Sequence, residues 1–275
     1  MARHQKTQDI IDAARAILEA HHPMTVRQVY YRLVAAQVID NTRSRYQAVS
    51  KAVVAARQEG TIPWEWIEDR LRRPRAVSMW KDVADFAETA RHAYRRDVWA
   101  TQPRLVEVWL EKDALSGIFE DVLEPYGVTL HVGRGYDGWD SLYNAASHYT
   151  GWQGPVTILY FGDFDPSGRD MVRSLGERLS FFETSPEIII CAILRSDIDE
   201  YNLPPDFTKP TDSRRKGFVA RHGDMAVELD ALPVDVLQDR IRQQVETRMD
   251  LNALARTREQ ERRDRQVIMK LLEAA

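Results

Sequence analysis

Five side chains in three short segments have the types and spacing to act on a phosphate ester. In Val26-Arg27-Gln28-Val29-Tyr30-Tyr31-Arg32-Leu33-Val34 the apolar positions are 26, 29, 30, 33 and 34, a full helical stripe. Tyr30 belongs to the stripe and is expected in the core. Tyr31 lies about 100° around the helix and is expected at the boundary. Arg27 stands one turn earlier on the same face as Tyr31. A phenol beside a guanidinium is a candidate nucleophile, because the cation favours phenolate and can hold a phosphate. The plainer alternative is a boundary tyrosine with an arginine stacked on it.

The other two segments bring carboxylates. Glu111 follows the apolar run 105–110, and Asp163 and Asp165 follow the run 156–161. Both runs read as strands, and ligands of open α/β sheets bind at the carboxyl ends of strands. Hard carboxylate oxygens grouped there suit Mg²⁺, or Mn²⁺ in its place. Asp165 also has a purely local explanation, since Asp before Pro before a helix is an N-cap followed by proline at N1.

Three helices and a short extended piece are expected to position the tyrosine. Residues 10, 11, 14, 17 and 18 mark the first helix, Thr25 caps the second, and the third runs from about Thr42 to Glu59 with Gly60 as its stop. Ile62-Pro63-Trp64-Glu65-Trp66 alternates like a strand. Residues 1–75 therefore read as a winged-helix variant of the helix-turn-helix. Residues 76–103 read as a linker with a helix. From 104 to 275, strands at 105–110, 128–132, 156–161 and 188–194 alternate with helices at 113–123, 140–148 and 167–179, which predicts an α/β body with a parallel sheet. Helices are expected again over 234–249 and 251–272.

Charge divides the same way. Residues 1–75 carry 13 Lys/Arg and 8 Asp/Glu, a net +5, within a chain whose total is −4. Arg43, Arg45, Lys51 and Arg57 on the third helix, with Arg70, Arg72, Arg73 and Arg75 after it, are candidate phosphate contacts. Chance unevenness on a solvated surface is the competing explanation. Arg214-Arg215-Lys216 is a shorter basic run, read by default as a solvated loop.

Several chemistries find no support. The single cysteine, Cys191, lies in an apolar run and excludes an internal disulfide framework or a cysteine zinc site. The seven histidines form no zinc-ligand spacing. There is no GxSxG elbow and no GxxxxGK[ST] loop. Gly133-Arg134-Gly135-Tyr136-Asp137-Gly138 is a literal GxGxxG, but it follows the second strand where a dinucleotide fingerprint follows the first. No run approaches the ~18 apolar residues of a membrane helix, and the opening Met-Ala-Arg-His-Gln-Lys lacks the apolar region of a secretory leader. A cytoplasmic protein is expected.

Together the three segments resemble the A subunit of topoisomerase VI and its relative, the meiotic double-strand-break transesterase. Arg27-Gln28-Val29-Tyr30-Tyr31 is similar to that family's Arg-Asp-x-[Tyr/Phe]-Tyr, whose last tyrosine is the nucleophile. Glu111-Lys112 is similar to the Toprim glutamate motif, and Asp163-Phe164-Asp165-Pro166-Ser167-Gly168 to its Asp-x-Asp-Pro-x-Gly. The separations, 80 residues from 31 to 111 and 52 from 111 to 163, follow the same order. The resemblance covers roughly residues 20–275. It implies a Toprim domain over 104–275, and Mg²⁺ at Glu111, Asp163 and Asp165. It further implies a homodimer in which one protomer's tyrosine works with its partner's carboxylates, and cleavage of double-stranded DNA by Tyr31. Arg27 and Glu111 are the implied helpers. Gln28 stands where the family has Asp. The stretch before the tyrosine motif is short, as in the stand-alone relatives called topoisomerase mini-A, so engagement of a separate ATPase B-type subunit is left open. A hydrolytic Toprim nuclease and a non-catalytic DNA-binding module are the competing readings.

Overall fold

The structure, a computed structural model, describes residues 5–67, 77–133 and 138–273, with the side chains of Arg43 and of residues 271–273 outside the description. Arg70, Arg72, Arg73 and Arg75 lie outside the described residues, as do residues 134–137 of the GxGxxG stretch.

The chain begins with three helices, α1 (Gln5–His21), α2 (Val26–Ala35) and α3 (Arg43–Gln58). Their apolar stripes close on one another: Ile11, Ala14, Leu18, Val29, Leu33, Val49, Val53 and Ala56 are all fully buried. The start of α2 is fixed by a reciprocal cap. Thr25 Oγ1 accepts from Gln28 N at 3.3 Å, and Gln28 Oε1 accepts from Thr25 N at 2.8 Å. Gln28 thus has a local task, and it does not face the phenol of Tyr31 as a partner.

The strand expected at 62–66 does not form. Trp64–Trp66 is a 3₁₀ turn. Pro63 precedes it, and Arg57 holds Trp64 from above, its guanidinium 4.3 Å from the ring centroid and its Nη2 donating to Trp64 O at 2.9 Å. A single parallel bridge between Met24 and Ile67 remains, and no strand is present among the described residues up to 67. Helix α4 (Val83–Ala93), capped by Asp82, occupies the expected linker.

The body is a four-stranded, all-parallel sheet of β1 (Leu105–Leu110), β2 (Thr129–Val132), β3 (Val156–Phe161) and β4 (Glu187–Ala192), in the order β2-β1-β3-β4. Helices α5 (Ser116–Leu123), α6 (Trp139–Gly151) and α7 (Pro166–Phe181) cross over between strands. The central strands read as near-continuous apolar runs because both faces are covered. The fourth strand ends two residues earlier than expected, and α8 (Arg195–Glu200) follows. Cys191 is buried in it, and burial pushes its thiol up to about 12. It is therefore a packing residue. Helices α9 (Arg215–His222), α10 (Val234–Glu246) and α11 (Leu251–Glu273) complete the chain, α10 packing on α5 and α11 on α4. No helix of the described residues is long and apolar enough to cross a membrane.

Two features of this topology place the site. The strand order reverses between β1 and β3, and at such a switch point the carboxyl ends diverge and leave a crevice. The 3₁₀ turn Leu229–Ala231 packs against α2, which brings the first helices over that crevice.

Candidate active site

Glu111 stands one residue past β1, and Asp163 and Asp165 follow β3, on either side of the switch point. Glu111 Oε2 accepts from the Asp163 N–H at 2.9 Å, which ties the two strand ends together. The turn tolerates no bulk: a Cβ on Gly162 would lie 2.4 Å from Glu111 Oε2, and one on Gly168 would lie 2.4 Å from the Asp163 carbonyl oxygen. Asp165 caps α7, its Oδ1 accepting from Gly168 N at 2.6 Å, as the local pattern predicts.

The carboxylates are crowded. Burial, then the charge of Asp163, pushes the Glu111 carboxyl well above the usual range. Asp163 is also pushed up. Burial is the main cause and Glu228 adds to it, against the lowering effects of Lys112 and the Leu229 N–H. Asp163 Oδ1 accepts from Leu229 N at 2.7 Å and stands 3.2 Å from Lys112 Nζ.

Lys112 is the cation at the centre of this cluster. Its ammonium lies 2.9 Å from Glu228, 3.2 Å from Asp163 and 3.7 Å from Asp230. Burial works against its charge, but those three carboxylates outweigh burial and raise its pKa. Asp230 is 3% exposed, and neither of its carboxylate oxygens has a hydrogen-bond donor in bonding geometry. Among the described residues only ion pairs steady it, Lys112 Nζ at 3.7 Å and Arg27 Nε at 3.5 Å. Burial accordingly pushes its carboxyl up.

Tyr30 is in the core as expected, its hydroxyl 2.8 Å from Asn41 Oδ1 and 3.2 Å from Thr42 O. Tyr31 is less open than its helical position implied, at 8% exposure, because Glu228 and the turn after it cover α2. Burial, followed by the negative charge of Glu228, pushes the pKa of its phenol up. Arg27 acts in the expected direction but is outweighed, since its guanidinium is paired with Glu228 and Asp230 at 3.5 Å each. Phenolate is therefore not the resting form of Tyr31.

A cavity of about 160 Å³ joins these parts. Tyr31, Asn41, Asp163, Asp165 and Glu228 are among the residues that line it. The tyrosine and both aspartates of the strand-end motif thus reach one space within a single chain. Of the phosphate contacts expected on α3, Arg45, Lys51 and Arg57 are not among the residues that line this cavity. Lys51 is exposed and Arg45 half-buried, while Arg57 is engaged by Trp64.

Among the described residues, no three His, Cys, Asp or Glu side chains already stand in ligand geometry for a metal. The chemistry of the donor set does suit a divalent cation. Glu111 and Asp163 are desolvated, mutually repelling hard-oxygen groups at a strand-end crevice, and a cation relieves such crowding.

Lys112, Glu228 and Asp230 are site residues that sequence reasoning misses. The signal for the acidic pair is its setting: Val227-Glu228-Leu229-Asp230-Ala231-Leu232 puts two carboxylates into an apolar run with no helical period to carry them outward. No family model matches the chain, and no curated protein matches it either.

Proposed function

We propose that this protein cleaves double-stranded DNA by tyrosine transesterification, in the manner of a type IIB topoisomerase A subunit. The observation that carries the reading is the shared cavity, where a phenol from α2 meets the carboxylates that follow β3. In this reading residues 1–75 are a winged-helix domain, 76–103 a linker and 104–275 a Toprim domain.

Tyr31 Oη attacks the phosphorus. The new bond joins the phenol oxygen to the 5′-phosphate, and the bond to the 3′-oxygen breaks. Since the phenol rests protonated, the proton must leave as attack proceeds, and Glu228, which lines the same cavity, accepts it. Glu111, pushed up by burial, supplies a proton to the departing 3′-oxygen. Arg27 is placed to hold the phosphate when it leaves its carboxylates. Asp163 and Asp165, with Glu111 in its deprotonated form, would hold Mg²⁺ or Mn²⁺, whose chemistry is to neutralise the phosphate charge. The phosphotyrosyl link conserves the phosphodiester's energy, so resealing is the reverse step and needs no ATP.

Nicking of plasmid DNA with Mg²⁺, wild type beside Tyr31→Phe and Tyr30→Phe, tests the reading. Tyr31→Phe loses cleavage and Tyr30→Phe keeps most of it; equal rates for wild type and Tyr31→Phe overturn the tyrosine mechanism. A hydrolytic nuclease is the second reading, favoured by the burial of Tyr31 and the raised pKa of its phenol. A homodimer with shared sites belongs to the first reading. Mixing Tyr31→Phe with Asp163→Asn restores cleavage if sites are shared between protomers and not if each is completed within one chain. A separate ATPase B-type subunit enters the proposal for strand passage alone.

A further inference from the structure

A second cavity, of about 540 Å³, opens beside the acidic one, and Pro166 lines both. Its walls are α7 and α9 with the turn before α9, and they present Arg169, Arg173, Arg214, Arg221 and His222. Four guanidiniums around one hollow are unusual in a body that carries net negative charge. Asp170 lines the same hollow and holds Arg173 at 2.7 Å and Arg214 at 3.4 Å; Arg214 is also paired with Asp212 at 2.8 Å.

Arg169 and Arg221 differ from that pair. Among the described residues, neither has a carboxylate within ion-pair distance. Arg169 donates through Nη2 to Ile193 O at 2.8 Å and lies 5.0 Å from the Phe164 ring centroid, which fixes its plane. Its Nε is buried with no hydrogen-bond partner. A buried guanidinium N–H without an acceptor costs stability unless a ligand provides one. Arg221 is exposed at the end of α9. Phe164 and Phe218 pack edge to face beneath, with ring centroids 5.3 Å apart, and give the hollow a rigid floor. His222 reports the local potential: burial, then the charges of Arg169 and Arg221, holds its imidazole below the ordinary value.

We infer that this cleft seats the phosphate backbone of the nucleic acid strand that enters the acidic site, with Arg169 and Arg221 as its phosphate ligands. The inference rests on the proposed DNA cleavage and adds a binding site in the acidic part of the chain, apart from the basic helices. Planar guanidiniums suit phosphate because they bond two of its oxygens at once. The shared residue Pro166 makes the two hollows neighbours along one strand, the basic one holding and the acidic one cutting.

Fluorescence anisotropy with a short labelled DNA duplex, without divalent cation and over a salt series, tests this. Wild type shows an affinity that falls steeply with salt. Removing one phosphate ligand lowers that slope by about 0.9, so Arg221→Gln and Arg169→Gln each flatten it by about that amount. The exposed Arg262→Gln on α11 serves as the control and leaves the slope unchanged. Arg221→Gln, at an exposed position, does not disturb the fold, and its slope decides the matter even if Arg169→Gln is unstable. Steep salt dependence in wild type with the same slope in Arg221→Gln overturns the cleft and leaves the proposed function standing. No duplex binding by wild type overturns both.

Discussion

Glu107 and Glu111 belong to the same stretch of chain, four residues apart, one inside β1 and one just past its end. Glu107 is 1% exposed, yet every direction around its carboxylate is answered. Tyr149 donates to it at 2.6 Å, His131 Nε2 stands at 2.7 Å and His148 Nδ1 at 3.0 Å. Trp109 stacks on His131 with ring centroids 4.4 Å apart and donates to the Tyr149 hydroxyl at 3.3 Å. Burial alone would raise the Glu107 pKa, but His131, Tyr149 and His148 outweigh it and hold the carboxyl below the usual range. Glu111 has one backbone N–H at hydrogen-bond distance, a tyrosine hydroxyl at 3.5 Å and two neighbouring carboxylates, and its pKa is raised. Burial of a carboxylate therefore does not mark a functional site. Burial without enough partners does, because such a group costs stability and persists where something outside the chain completes it.

Removing the more buried of the two cations in the acidic cluster gives the largest effect. Lys112→Met leaves Asp163 without its ion-pair partner, facing Glu228 and Asp230, which keep only Arg27 at 3.5 Å each. The expected loss is about 3–5 kcal/mol, the usual result of breaking a buried charge cluster from one side, read by urea denaturation. A loss under ~1 kcal/mol would mean that the cluster is more open to water than its burial indicates.

Glu107→Gln comes next. An amide cannot accept from two imidazoles and a phenol together, and the loss is about 2–3 kcal/mol. The pH dependence has a definite sign. A carboxylate whose folded pKa is depressed contributes stability above its unfolded value, ~4.3, and loses it as pH falls through the folded value. Wild type therefore weakens below about pH 4, and the variant weakens less steeply over that window.

Glu111→Gln has the opposite sign. Exchanging a crowded carboxylate for a neutral amide that still accepts from Asp163 N–H removes repulsion, and it raises stability by about 1–2 kcal/mol while cleavage is lost. Opposite signs at positions 107 and 111 support the contrast between the two glutamates; equal losses at both refute it.

Much of this is legible in the residues. The strand runs, the switch-point carboxylates and the Thr25 cap follow from apolar period and turn chemistry, which are local. Tyr30 inside and Tyr31 off the stripe also follow from helical spacing. What is not local is not legible. Tyr31 is covered because a turn 198 residues later packs on α2, and no helical wheel contains that turn. The partners of Lys112 come from two distant segments. The strand at 62–66 fails because Trp64 is taken up by Arg57 and Trp66 stacks on His22 about a proline-led turn, so the period of two is real and its cause is different.

Tyrosine transesterification requires that Tyr31 become joined to DNA. Wild type, Tyr31→Phe and Asp163→Asn are incubated with end-labelled duplex and Mg²⁺, stopped with detergent and resolved under denaturing conditions. The mechanism predicts a labelled protein–DNA adduct with wild type alone, its tyrosine joined to the phosphate of the new 5′ end and the other end a free 3′-hydroxyl. Cut DNA with no adduct in wild type, or an adduct that survives in Tyr31→Phe, contradicts it.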